Sequence, residues 1–199
     1  PHRAFQIEIA SSRSETYEEG SRSPSKVEFA SLEQDLERRD FTINAMAMDI
    51  HPDQFGKIYD PFKGKDNLND KLLKTPLDPE QTFSDDPLRM MRAAHFASKL
   101  NFKLDSACRT AIKNQAKKID IVSWERVRDE LIKILSTSKP SIGLVIMQKT
   151  GLLKTVFPEI DVMYDMDQSP EWHHKDIFAH TLQVVDNAAK LTNKMEIRF

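Results

Sequence analysis

Near Asp86 the apolar residues change their spacing, and that change fixes the class of fold the chain can adopt. Before it, short segments alternate: Ala4–Ile9 and Lys26–Ala30 place apolar residues every second position, the pattern of half-buried strands, and Ile58–Tyr59 reads as a short strand closed by Pro61. After it, Leu88, Met91, Ala94, His95 and Leu100 recur at helical spacing behind Pro87. Further helices are expected over 105–117, with Ala107, Cys108, Ala111 and Ile112 inward, and behind Ser123 as N-cap, with Val127, Leu131, Ile134 and Leu135 inward. Ile142, Val145 and Ile146 predict a fourth helix with its exit at Leu152–Leu153, and 177–191 predicts a fifth. The expected fold is α+β: strands of a mixed sheet first, helices after.

Segments poor in apolar residues separate these blocks. Residues 11–25 carry Ser, Glu and Arg with only Tyr17 to anchor them, so a mobile loop is expected; 158–170, acidic and flanked by prolines, reads as a linker. Three parts follow: 1–62, 63–157 and 158–199. One cysteine, Cys108, excludes an intramolecular disulfide and suits a reducing, cytoplasmic compartment. No apolar run is long enough to span a bilayer. The chain opens at Pro1 in mid-pattern, which reads as an internal fragment.

The net charge of −2 conceals a division. Residues 1–60 hold 7 basic and 12 acidic side chains, whereas 86–139 hold 12 basic and 6 acidic. A basic middle draws phosphates, although solvated helix faces give the same count. Arg109, Lys113, Lys117 and Lys118 would gather on the second helix and face RNA backbone.

Two stretches carry chemistry. In Arg38–Ala47, two arginines, Asp40 and Asn44 crowd an apolar segment: guanidinium forks suit phosphate oxygens, and the carboxylate and amide suit a ribose. The plainer reading is a helix start capped by Asp40. In Asp85–Arg92, Asp86 either caps a helix behind Pro87 or, three residues from Arg89 on one face, joins it in reading a base edge. A carboxylate accepts from the exocyclic amine of cytosine or adenine while the arginine donates to the adjacent ring nitrogen. Uracil and guanine present the opposite pattern, which leaves like groups facing each other.

These stretches resemble signatures of the class II tRNA nucleotidyltransferases (CCA-adding enzymes) and bacterial poly(A) polymerases. Arg38–Ala47 matches RRDFTINAMA; Asp60–Leu68 resembles DPFGGxxDL, with Lys63 and Asn67 departing from it; Asp85–Arg92 with Ala93 and Phe96 resembles EDPLRxLRAxRF, with Asp85 for Glu; Ser123–Leu131 resembles SxERIxxEL, with Val127 for Ile. The resemblance implies a nucleotidyltransferase palm in 1–62, a helical neck that reads bases and RNA in 63–157, and the start of a helical HD-type body in 158–199. Arg39, Asp40 and Asn44 would handle ribose and phosphates, and Asp86 and Arg89, supported by Asp85 and with Arg92 beside them, would template the base. Gly64 and Asp66 would lie near the segment that lets the head move, and Glu125, Arg126 and Glu130 would brace the neck.

The implied reaction is Mg2+-dependent transfer of CMP and AMP from CTP and ATP to the 3′ end of tRNA, releasing pyrophosphate. The family's Asp-x-Asp metal pair is expected upstream of Pro1, so this stretch alone is expected to be inactive. Asp165–Asp167 reads as linker, and Glu28 is a candidate third carboxylate or an ordinary strand residue. His180, behind His173, His174 and Asp176, is a candidate HD-type metal ligand or an ordinary helix residue. Rival readings are a poly(A) polymerase using ATP alone, an HD phosphohydrolase and a non-catalytic RNA-binding module.

Overall fold

Helices dominate once the chain passes the change of spacing, and in the computed structural model they do so from residue 79 onward. The structure describes residues 9–16, 26–164 and 177–191. The expected strand over Ala4–Ile9 up to its last residue, most of the 11–25 loop, the 165–176 stretch and Ile197–Phe199 lie outside them; Ile9 itself is exposed and not in a strand.

Strands β1 (Arg13–Thr16) and β2 (Lys26–Phe29) pair antiparallel, with Ser14 opposite Glu28. The 11–25 stretch therefore supplies a strand at Arg13–Thr16 where only loop was expected: a partner of high strand propensity overrides a polar composition. Helix α1 (Leu32–Glu37) starts in a reciprocal capping box between Ser31 and Gln34 and buries Leu36 and Asp35. A 3-10 turn at Thr42–Asn44 leads to β3 (Ala47–Met48), which pairs antiparallel with β4 (Ile58–Tyr59).

Helix α2 (Gly64–Asn69) follows, capped by the Asp60 carboxylate, which accepts from the backbone N–H of Gly64 at 2.6 Å and of Lys65 at 2.9 Å. β5 (Leu72–Leu73) runs parallel to β6 (Lys103–Leu104), beyond helices α3 (Pro79–Asp85) and α4 (Leu88–Leu100). Parallel and antiparallel pairings thus coexist as expected, and among the described residues they form three separate two-stranded pairs.

Helices α5 (Ser106–Gln115), α6 (Trp124–Leu135), α7 (Ser141–Lys149), α8 (Leu152–Val156), α9 (Pro158–Asp161) and α10 (Ile177–Leu191) follow among the described residues. The expected linker opens instead with α9 and a 3-10 turn at Val162–Tyr164, because Pro158 occupies the first helical position, where its missing N–H costs nothing. Ser123 does stand at the N-cap of α6, without a side-chain capping bond.

Helix α4 is the axis of the core. Its Met90, Met91, Ala93, Ala94 and Ala97 are fully buried and pack against α6 and α7. The approach to α7 is close because Gly143 has no side chain: a Cβ there would stand 2.6 Å from Ser98 Oγ and 2.9 Å from the Ala94 carbonyl. Asp186 of α10 accepts from Ser141 at the start of α7, through N–H at 3.0 Å and hydroxyl at 2.7 Å. One continuous apolar cluster runs from Phe41 to Phe178. No helix among the described residues is long and apolar enough to cross a membrane.

Candidate nucleotide site

The turn after α1 and the first turns of α4 face each other across a cavity of about 550 Å³. It is lined by Arg38, Arg39, Asp40, Asn44, Asp86, Arg89, Arg92 and Phe96. Six of the seven nucleotide-site candidates meet there, although one set lies about fifty residues from the other.

The bond that ties the sets is Asp40 to Arg92. Asp40 is buried, and its Oδ2 accepts from Arg92 Nε at 2.8 Å and Nη2 at 2.5 Å. Its Oδ1 accepts from the Phe41 N–H at 2.8 Å and from Asn44 Nδ2 at 3.1 Å. A carboxylate offers about four lone-pair sites, and four donors fill them. In this structure the protein itself therefore fills the acceptor sites of Asp40, which ties Arg92 and Asn44 together.

Arg92 is one-third exposed, and its guanidinium lies 5.2 Å from the Phe96 ring centroid. Phe96 in turn meets Phe41 edge-on at 5.8 Å, so the apolar wall of the cavity is continuous with the core.

Asp86 and Arg89 do not share a helix face, contrary to expectation. Asp86 has extended backbone (φ −142°, ψ 97°), closes α3, and precedes Pro87 and the first residue of α4. Proline disfavours helical backbone in the residue before it, which moves Asp86 off the helix. Its carboxylate accepts from the Leu88 N–H at 3.2 Å and lies 3.5 Å from Arg126 Nη2, which spans from α6. Both side chains still line the cavity. Arg89 donates to the carbonyls of Thr82 (3.3 Å) and Arg38 (2.6 Å), two of its five N–H groups. Asp85 stays outside the cavity lining, accepting from Gln81 at 2.5 Å.

Behind Arg92 stands Glu130 of α6, 3% exposed. Lys133 Nζ lies 2.7 Å from Oε1, Arg92 Nη1 3.9 Å from Oε1, and His95 Nδ1 3.4 Å from Oε2. Burial alone pushes this carboxyl up, but His95, Lys133 and Arg92 outweigh it and hold it at about 2. The His95 contact is close enough for an ion pair but does not have hydrogen-bond geometry.

The four RNA candidates are exposed but not all on one helix. Arg109 and Lys113 lie on α5, whereas Lys117 and Lys118 lie on a 3-10 segment, Ala116–Ile121, that follows it. Lys118 Nζ donates to Ser84 Oγ at 2.9 Å, and Arg109 Nη2 to the Leu104 carbonyl at 3.4 Å. Ala107 is exposed rather than inward. His180 is an exposed residue of α10, with His173, His174 and Asp176 outside the described residues.

Among the described residues no three His, Cys, Asp or Glu side chains gather as a cation cage. The cavity itself offers two carboxylates, Asp40 and Asp86, and the first is fully engaged by protein donors.

The sequence reading gave no site role to Asp35, or to Phe96 beyond its place in a motif. Asp35 carried a legible signal, since it stands three and four residues before the two arginines on a helix.

A family model described as the poly A polymerase head domain matches residues 2–74, and one described as a probable RNA- and SrmB-binding site of polymerase A matches 101–164. The multifunctional CCA protein of Vibrio campbellii is 39% identical over 174 residues, covering 84% of this chain and 41% of the relative. The CCA-adding enzyme of Bacillus stearothermophilus, solved in complex with CTP, aligns with a TM-score of 0.64 at 34% identity over 80% of this chain and 36% of its own. That of Thermotoga maritima, complexed with tRNA, aligns with a TM-score of 0.60 at 26% identity over 77% of this chain and 40% of its own. The chain spans about two fifths of the length of the curated relatives it matches.

Proposed function

We propose, for a chain that belongs to the family of class II tRNA nucleotidyltransferases and bacterial poly(A) polymerases, that it supplies the nucleotide pocket and RNA-facing neck of a CCA-adding enzyme. The intact protein would transfer CMP and AMP from CTP and ATP to the 3′ end of tRNA in the cytoplasm, with release of pyrophosphate. The division into palm (1–62), neck (63–157) and start of a helical body (158–199) belongs to the same reading.

One observation carries it: a single cavity collects four guanidinium groups, two carboxylates, an amide and a phenyl ring from two distant motifs. Four positive charges against two negative ones suit a polyanion, and the phenyl wall suits a base or ribose. Arg39 and Asn44 contact ribose and phosphate oxygens, and Asp40 holds Arg92 and Asn44 in place. Arg89, steadied by the carbonyls of Thr82 and Arg38, donates to the ring nitrogen of C or A, and Asp86 accepts from the exocyclic amine. Mg2+ would supply triphosphate and hydroxyl activation, from ligands other than a cage of the described residues. His180 serves as an HD-type ligand only with partners outside those residues.

The RNA-binding model over 101–164 is described for polymerase A, which keeps an ATP-only poly(A) polymerase as the second reading. Incorporation of all four nucleotides by the full-length Arg89→Ala protein, at matched folded concentration, tests the base assignment. Loss of a hydrogen bond in a partly desolvated site costs about 1–3 kcal/mol, so CTP and ATP efficiency should fall about ten- to a hundredfold. Discrimination against UTP should shrink with it. A fall no larger for CTP and ATP than for UTP would sink the assignment, and use of ATP but not CTP by the unmutated protein would select the second reading.

A further inference from the structure

The signature that Asp85–Phe96 resembles, EDPLRxLRAxRF, carries arginine where this chain has His95. The exchange falls opposite a buried acid. His95 Nδ1 lies 3.4 Å from Glu130 Oε2, both atoms are buried, and neither has a hydrogen-bond partner. Lys133 and Arg92 approach the other oxygen, Oε1, so His95 stands at Oε2 without help from either. Its ring is stacked on that of Phe96, with centroids 5.1 Å apart and planes 17° from parallel, and Phe96 lines the cavity.

Arg92 stands between two buried acids. Its Nε and Nη2 donate to Asp40, while Nη1 faces Glu130 from 3.9 Å, too far for a hydrogen bond. The guanidinium is a rigid plane, so closing the gap to Glu130 turns the edge that meets Asp40. How strongly Glu130 draws it depends on the other cations beside that acid. Lys133 is half exposed and water screens its charge, so the balance rests on His95. Arginine at this position would be a fixed cation, whereas histidine gains and loses its charge between about pH 5 and 8.

We propose that His95 is a positioning residue for Arg92: its imidazolium satisfies Glu130 and leaves Arg92 on Asp40, and its neutral form lets Glu130 draw Arg92 back from the cavity. The inference rests on the nucleotide reading of that cavity, and His95 is not among the residues that line it. The charged groups around His95 are Glu130 and Lys133 on α6, Arg92 and Lys99 one turn to either side on α4, and Asp40 beyond Arg92. The buried residues of α3, α7, β5, β6 and the 3-10 segment after α5, which also pack on α4, are all uncharged. A cation withdrawn toward a buried acid is lost to a triphosphate, so nucleotide affinity falls as pH rises and the imidazole gives up its proton.

The experiment is equilibrium binding of CTP to the full-length protein and its His95→Arg, His95→Gln and Glu130→Gln variants, from about pH 5.5 to about pH 8.5. Thermal melts establish the folded fraction of each. The phosphates of CTP titrate in the same range, but equally for every variant, so the informative quantity is the ratio of affinities at each pH. The unmutated protein and His95→Arg should bind alike at the acid end, and the unmutated protein should be about tenfold the weaker at the alkaline end. His95→Gln should be weaker than His95→Arg by the same factor at every pH. With Glu130→Gln no second acid competes for Arg92, so adding His95→Arg to it should leave the CTP profile as it was. A ratio of unmutated to His95→Arg affinity that is constant with pH, or that drifts the other way, would overturn the proposal. So would a drift that survives in Glu130→Gln. If His95→Arg is poorly folded, His95→Gln decides: the unmutated protein should outbind it at the acid end and match it at the alkaline end. CTP binding with a flat ratio strikes the role of His95 alone, whereas an unmutated protein that binds no CTP at any pH strikes the nucleotide reading and the proposal with it.

Discussion

Glu130 shows how much one residue can carry out of sight of the cavity. Its carboxyl sits at about 2 against an ordinary 4.5: desolvation raises it, and His95, Lys133 and Arg92 lower it by more. A carboxyl whose folded value is depressed stabilises the fold above its unfolded value, and that contribution disappears as pH falls from about 4.5 toward 2. The shift bounds the contribution at about 3 kcal/mol. Glu130→Gln should therefore lower the urea midpoint of unfolding at pH 7, and the gap to the unmutated protein should narrow steadily between pH 4.5 and pH 2.5. A gap that stays constant with pH would show that packing, not charge, holds this residue. The motif marked Glu130 as a brace for the neck, yet its three partners were not readable from spacing. His95 and Arg92 lie on α4 and face α6 only because Met90, Met91 and Ala94 bury the rest of that helix. The cavity-lining residues Arg39, Asn44, Asp86, Arg89 and Arg92 were legible as candidates because their chemistry suits a nucleotide wherever it is placed. The saturation of Asp40 by Arg92 is a long-range pairing and was not.

At the scale of elements, helices longer than two turns followed from periodicity: Leu88–Leu100 starts behind Pro87 and ends with its apolar spacing, and 177–191 is helical throughout. Short elements did not, since β3 to β6 have two residues each and owe their existence to partners. The second helix stops at Gln115 and tightens into 3-10 turns, which bury Ala116 and Ile119 against α8 and move Lys117 and Lys118 off the face that helical spacing gave them. The departure at Lys63 has a backbone meaning. The related signature has glycine there, and Lys63 adopts φ 58°, ψ 38°, the left-handed region that glycine enters freely. The side chain is exposed, so little contact is lost when it is removed. Left-handed backbone costs a non-glycine residue about 1–2 kcal/mol, and added freedom of the unfolded chain returns about half of that. Lys63→Gly should accordingly stabilise by about 0.5–1 kcal/mol, a rise of about 1–4 °C in Tm. Lys63→Ala, which keeps the Cβ, should give no such rise. Equal melting temperatures for Lys63→Gly and Lys63→Ala would refute the strain.

The whole molecule is nearly neutral, so its electrostatic character lies in distribution. The excess of basic residues over 86–139 sits on a helical framework whose apolar faces are spent on one core, and charges cannot enter that core without partners. They remain at the surface, open to an approaching polyanion. Among the described residues Lys113 and Lys117 make no hydrogen bond or ion pair, whereas Arg109 and Lys118 each spend one donor on the protein and keep the rest. Each phosphate contact releases roughly one counterion, so the salt slope of binding counts the contacts while affinity at a single salt concentration does not. For the full-length Lys113→Glu, Lys117→Glu protein, tRNA affinity measured across a series of KCl concentrations should be weaker at low salt, with a slope shallower by roughly two. CTP affinity should stay as it was, because neither lysine lines the nucleotide cavity. The two readouts must part company in this way: a tRNA slope that does not move would take the RNA track off this face. A fall in CTP affinity would mean that the substitutions disturb the fold, since charge reversal at that surface has no direct path to Arg39 or Arg89.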